Sequence, residues 1–236
     1  MIERLAWLGL AAINPDELAI FYEDTLGLQR VDPPSTPIAP TPEAAFDVGG
    51  DYLAIRSLRS IPAGGVHTHF AIAVSSQRYD VLLERLSRMG SVEERRFGSY
   101  RSLYWFDPAG HCVEFGERPD VADGVGGVFE VVLEVSDLAE ATTRYEPLGF
   151  EIVDQGSDRA RNRLRGAFDL ELWEPQLGIA DGRGGAHVEL GVYADDPTRD
   201  ATSIAVGEST LEDVSGWHCV RDRDNHRLCF TGVENA

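Results

Sequence analysis

Asp107-Pro108-Ala109-Gly110-His111-Cys112-Val113-Glu114-Phe115 returns, loosened, as Asp222-Arg223-Asp224-Asn225-His226-Arg227-Leu228-Cys229-Phe230, and this correspondence decides the fold. In each copy an aspartate-led turn runs into a short strand, and the alignment sets Glu114 against Cys229. Upstream of the first copy, His69-Phe70-Ala71-Ile72-Ala73-Val74 reads as another strand. Alternation puts His69, Ala71 and Ala73 on one face and sets Glu114 opposite to Val113 and Phe115, so an imidazole and a carboxylate can meet on an inner surface. A buried carboxylate without a partner is costly, so Glu114 needs a metal or an arginine.

The repetition extends over the chain. A first strand, Leu5 to Ala12, leads through Asn14-Pro15-Asp16-Glu17 into a helix ending at Leu26-Gly27-Leu28, then a proline-rich loop and strands around Phe46 and Tyr52-Ile55. His69-Val74, a helix over Tyr79-Met89 and strands near Val92, Ser102-Phe106 and Cys112-Phe115 repeat the order. A Gly/Pro/Asp-rich stretch follows. Glu130-Leu138, a helix ending at Leu148-Gly149-Phe150 and Leu170-Trp173 rebuild the first unit. His187-Val192, a brief helix or turn near Asp196-Ala201, and strands around Ser203-Val206, Trp217-Val220 and Leu228-Phe230 make a shorter fourth. The spacing agrees: Trp7 to Tyr22 and Glu130 to Tyr145 are both fifteen positions. Four copies of one α+β motif are expected, in two domains: 1–118 (units 1–62 and 65–118) and 127–236 (units 127–180 and 185–236), joined by a linker 119–126.

Composition narrows the function. The chain has 236 residues, 43% of them hydrophobic, enough for a sizeable core. It carries 40 acidic against 21 basic residues, net charge -19, and every basic residue is arginine. Such a surface repels phosphate backbones and anionic membranes, so neither nucleic acid nor membrane is an expected partner. The acidity resembles that of proteins adapted to a high-salt cytoplasm, where screening mutes the repulsion. With no membrane-length apolar run and no signal-like start, a cytoplasmic location is expected. Cys112, Cys219 and Cys229 are odd in number without CxxC spacing, so reduced thiols are expected.

Phe21-Tyr22-(x)3-Leu26-Gly27-Leu28, its partial echo Tyr145-(x)2-Leu148-Gly149-Phe150, and Asp107-Pro108-(x)1-Gly110-(x)3-Glu114 give the chain a resemblance to the vicinal oxygen chelate superfamily. That superfamily includes glyoxalase I, bleomycin and fosfomycin resistance proteins and extradiol ring-cleaving dioxygenases. The resemblance implies βαβββ units paired into two open, cup-like mixed sheets with helices outside. It also implies that a metal, where present, is held by the first and last strands of each unit. Those positions are Trp7 and Ala54, His69 and Glu114, Glu130 and Glu171, and His187 and Cys229.

Which units share a cup decides whether a site exists. Consecutive pairing leaves Trp7, Ala54, His69 and Glu114 in one cup, too poor for firm binding. Exchanged pairing, as in glyoxalase I, collects His69, Glu114, Glu130 and Glu171 in one cup and leaves a degenerate set, Trp7, Ala54, His187 and Cys229, in the other, where Trp7 fills the space. The exchanged arrangement is preferred. Its donors suit Zn, Ni, Co, Mn or Fe(II), with Glu114 or Glu130 as the base of a glyoxalase-like lyase or isomerase acting on a small oxygenated substrate. His67, on the same face as His69, is a substitute ligand or a substrate contact. Arg163 and Arg165 guide an anionic substrate or simply neutralise Glu171. His111, His218 and His226 are expected to be exposed. The competing readings are a metal-free binding protein of the bleomycin-resistance kind and an extradiol dioxygenase, which lacks the second histidine it needs. A small-molecule substrate and a monomer or homodimer complete the expectation.

Overall fold

The computed structural model describes residues 1–32, 36–37, 41–58, 67–174, 188–205 and 211–233. Its elements fall into four successive units. The first comprises β1 (Ile2–Ala12), α1 (Pro15–Ile20), a π-helical continuation Phe21–Thr25, β2 (Gln29–Val31), β3 (Ala44–Val48) and β4 (Asp51–Ser57). The second comprises β5 (His67–Val74), α2 (Ser76–Met89), β6 (Glu93–Phe97), β7 (Tyr100–Phe106) and β8 (Cys112–Glu117). The third comprises β9 (Val125–Glu134), α3 (Leu138–Tyr145), β10 (Glu151–Gln155), β11 (Arg161–Arg165) and β12 (Asp169–Trp173). The fourth comprises β13 (Val188–Ala194), α4 (Pro197–Ile204), β14 (Glu212–Val214), β15 (Trp217–Arg221) and β16 (Arg227–Gly232).

Local chemistry explains the helix starts. Ser75 accepts from the Arg78 N–H, Asp137 from Glu140 and Asp196 from Arg199, while Pro15 and Pro197 open their helices where no N–H is needed. The Asp196-Pro197 start carries α4 through Ile204, because Ala201 and Ile204 bury themselves on the sheet. Ser203 and Ile204 are therefore helical, where the sequence suggested a strand; Val206 lies outside the described residues.

In every unit the first strand pairs in parallel with the last. Two antiparallel seams then join units from opposite halves of the chain, β1 with β13 and β5 with β9. The result is two eight-stranded sheets, ordered β14-β15-β16-β13-β1-β4-β3-β2 and β10-β11-β12-β9-β5-β8-β7-β6. Unit two thus shares its sheet with unit three, and unit one with unit four. The core lies on the helix-covered faces, where Phe46, Phe70, Tyr79, Leu82, Tyr145 and Phe230 are buried.

The two sheets are tied together at corresponding points of the repeat. Tyr22, from the first sheet's unit one, donates to Asp107 of unit two at 3.0 Å, and Tyr145 of unit three donates to Asp222 of unit four, also at 3.0 Å. Each aspartate also accepts a backbone N–H four residues on and lies 3.0 Å from that histidine's Nδ1, so His111 and His226 are buried. The expectation of exposed histidines fails for these two: the Asp turn folds its own histidine inward. His218 is half-buried, its Nε2 3.2 Å from Thr198 Oγ1. At a further crossing, Gly49 (φ 64°) approaches Gly127 (φ 108°) so closely that a Cβ on Gly49 would meet the Gly127 nitrogen at 2.5 Å.

Candidate metal centre

The sheet of units two and three carries the converging donors. Ala71 pairs with Glu114 across β5–β8 and with Glu130 across β5–β9, which brings the His69, Glu114 and Glu130 side chains to one spot. His69 Nε2 lies 3.3 Å from Glu114 Oε2 and 3.4 Å from Glu130 Oε1. All three are buried, and one ligand atom from each falls within 4.8 Å of the others.

The surroundings set the charge states. Burial alone would lower the His69 pKa, but hydrogen bonds to Glu114 and Glu130 and their charges outweigh it and push it up to about 9. For Glu114, burial pulls upward; His69, the Ser102 hydroxyl at 2.6 Å and the Tyr104 phenol together win and hold the carboxyl below its ordinary value. Glu130 Oε2 faces Arg163 Nη2 at 2.6 Å.

Glu171 stands outside the converging three. Its Oε2 accepts from Trp173 Nε1 at 2.7 Å, and its Oε1 lies 3.4 Å from Arg161 and 3.8 Å from Arg163. Burial, then the charge of Glu130, raises its pKa against those donors. Asp169 shares Arg163 at 2.7 Å and adds Arg165 at 3.1 Å. Asp169 pairs directly with Glu130 across β9–β12 and was missed in the sequence; its place two residues before Glu171 was the available signal. Ser102 and Tyr104, one strand away from Glu114, carried no signal beyond alternation. His67 opens β5, but its side chain lies outside the described residues.

These groups line the floor of an open cavity of about 1750 Å³. Tyr104 and Trp173 set their rings edge-on to His69 at 5.5 and 6.1 Å between centroids.

In the other sheet the corresponding space is filled. Trp7 is buried against Trp217 and lies over Gly191, leaving no room for a side chain there. Ala54 is buried beside it. His187 lies outside the described residues. It is also two residues early in register: Gly191 pairs with Cys229 as Ala71 pairs with Glu114, so the residue equivalent to His69 is Glu189. Glu189 is ion-paired with Arg56 at 2.7 Å and Arg227 at 3.6 Å. Cys229 is disulfide-bonded to Cys219, its direct neighbour across β15–β16, which corrects the expectation of three reduced thiols. CxxC spacing is blind to pairs that meet across a hairpin; only Cys112 is free.

A duplicated pair of curled sheets with one donor-lined cup and one filled cup defines the class of protein. A family profile described as the Glyoxalase/Bleomycin resistance protein/Dioxygenase superfamily matches residues 4–115. Among characterised relatives, the metallothiol transferase FosB of Lysinibacillus sphaericus (strain C3-41) is 28% identical over 102 residues, covering 40% of this chain and 68% of the relative. Among solved structures, a candidate dioxygenase from Bacillus subtilis superposes with a TM-score of 0.76 at 16% identity, covering 100% of this chain and 86% of the other. Glyoxalase I from Zea mays superposes with a TM-score of 0.70 at 17% identity, covering 97% and 92%. At these identities the superpositions establish the shared fold. No helix among the described residues is long and apolar enough to cross a membrane.

Proposed function

We propose that His69, Glu114 and Glu130 hold a divalent metal ion and that the chain is a metal-dependent enzyme of the glyoxalase type, a lyase or isomerase acting on a small oxygenated substrate in this cup. The carrying observation is the convergence of one imidazole and two carboxylates, all buried, within 4.8 Å. Two carboxylates that hold a proton on His69 up to about pH 9 form a site that attracts positive charge, and nitrogen with hard oxygen donors suits Zn, Ni, Co, Mn or Fe(II). The metallothiol transferase relative, named for a metal and a thiol, supports the same direction.

A divalent ion bound there supplies Lewis acidity toward a substrate oxygen. Glu114, fixed by Ser102 and Tyr104 and kept charged, serves binding. Glu130 presents one oxygen to His69 and the other to Arg163 at the cavity wall, and this carboxylate accepts the substrate proton. Trp173 and Tyr104 hold the imidazole plane and shield it from water. Cytoplasmic residence and one substrate cup per chain accompany this reading, whether as monomer or homodimer.

A second reading has its own observation: Arg163 and Arg161 already neutralise Glu130 and Glu171, as a metal-free binding cup would require. One experiment separates them. Purified protein is loaded with Co²⁺ and Zn²⁺, and metal content is measured for the wild type, His69→Ala and Glu114→Ala. The enzyme reading expects one equivalent in the wild type and loss of at least 100-fold in affinity in either variant. Equal metal content in all three would sink it in favour of the binding protein.

A further inference from the structure

Six arginines line the cup: Arg95, Arg118, Arg159, Arg161, Arg163 and Arg165. In a chain of net charge -19 most of them are neutralised. Arg161 pairs with Asp154 and Glu171, Arg163 with Glu130, Asp169 and Glu171, Arg165 with Asp169, and Arg95 with Glu93. These pairs close the inner wall to an incoming anion. Two differ: Arg118 lies over the Phe129 ring, 3.8 Å from the centroid, with one N–H on the Glu117 carbonyl, and Arg159 lies beside the candidate metal centre. Among the described residues Arg159 has no carboxylate partner, and its guanidinium lies over the Trp173 ring, 4.4 Å from the centroid. The same ring faces His69 at 6.1 Å and donates its Nε1 hydrogen to Glu171. Stacking on the ring takes one face of the guanidinium and leaves its N–H edge available for a carboxylate or phosphonate fork.

The opposite wall carries exposed aromatic rings, with Arg118 over one of them, 5.2 Å from the Tyr100 centroid. Tyr100 and Phe106 lie on the cup-facing side of β7 together with Ser102 and Tyr104, and they are 44% and 69% exposed. Exposed aromatic rings on a concave surface are where the apolar part of a ligand gains most from leaving water.

We propose that the cup selects amphiphilic anions, with the anionic group held by Arg159 on its Trp173 platform and the apolar part against Tyr100 and Phe106. This rests on the preceding reading only in placing the ligand in this cup. Arg159 is a specificity residue here, distinct from the paired Arg163 and Arg165.

The test is calorimetric titration of the full chain, in chelator so that metal plays no part, with 2-naphthoate and its neutral counterpart 2-naphthylmethanol. The expected result is at least tenfold tighter binding of the carboxylate, with Arg159→Ala abolishing that preference while weakening the alcohol by less than twofold. Phe106→Ala weakens both probes alike, by about threefold or more. Arg95→Ala removes the same charge from the rim and leaves the preference intact. Equal affinity for the two probes, an Arg95→Ala effect as large as that of Arg159→Ala, or binding of neither probe would each overturn the proposal. Because metal is absent throughout, these outcomes are independent of the metal analysis: an anion-selective cup without metal keeps this inference and removes the enzyme reading, and the converse result does the reverse.

Discussion

Arg163 Nη2 lies 2.6 Å from Glu130 Oε2, while the other oxygen of the same carboxylate faces His69 at 3.4 Å. One donor of the converging three is therefore shared between the site and a guanidinium that competes for it. Replacing Arg163 with Gln frees Glu130 and also removes the two guanidinium hydrogen bonds to Asp169. Metal affinity should rise about tenfold, with stability falling by ~1 kcal/mol because Asp169 loses a partner too. Competition of Co²⁺ against a chromophoric chelator reads the first, urea unfolding the second. Unchanged or weaker metal affinity would show that Arg163 orients Glu130 instead of competing for it.

The paired straps Tyr22–Asp107 and Tyr145–Asp222 give a stability prediction. Each phenol is buried, and burial together with the aspartate charge raises its pKa well above the ordinary value, so it stays a donor. Tyr22→Phe and Tyr145→Phe each leave a buried carboxylate one donor short, at a cost of about 2 kcal/mol. The straps share no partner, so the double variant should lose close to the sum. Urea midpoints at constant m-value test this. A double variant no worse than either single would mean that the straps act as one unit.

Much of this arrangement was legible in the sequence because the repeat is carried by short-range rules. Period-two alternation placed His69 and Glu114 on inner faces, and the fifteen-residue spacing of Trp7–Tyr22 and Glu130–Tyr145 exposed the duplication. The exchanged pairing followed from which cup could keep its ligands. What stayed hidden depends on contacts across strands. Nothing near Glu171 in the chain says whether its carboxylate turns to Arg161 and Trp173 or to His69. Glu189 was overlooked because His187 offered a better-looking ligand two residues earlier, and only the pairing of Gly191 with Cys229 fixes the register. His111 and His226 looked like turn residues; their burial depends on an aspartate receiving a tyrosine from another unit.

The disulfide predicts a division of labour between the two cups. Cys219 and Cys229 are ten residues apart, so their bond constrains a short loop of the unfolded chain and is worth about 2.5 kcal/mol in the chain-entropy account. A Cys219→Ala/Cys229→Ala double variant should lose roughly that much stability. Metal content and probe binding should not change, since both belong to the other sheet. A metal content that falls with the disulfide would mean that the filled cup supports the open one.

Asp51 supplies the pH dependence. It sits at the start of β4, in the first sheet, and accepts the Val128 N–H of the second at 2.9 Å. Burial raises its pKa to about 6, against that hydrogen bond and the charge of Arg4. For a carboxylate, a folded pKa above the unfolded value means that the native state binds the extra proton between the two. Its contribution to stability is therefore greatest below about pH 4 and is lost as pH rises to about 6. The loss is on the order of 3 kcal/mol. Asp51→Asn keeps an acceptor for Val128 without the charge. Its stability relative to the wild type should therefore improve steadily across that window and level off above it. Urea unfolding at half-unit steps of pH measures the difference, and a difference that stays flat from pH 4 to 7 would show that Asp51 titrates as a solvated carboxylate.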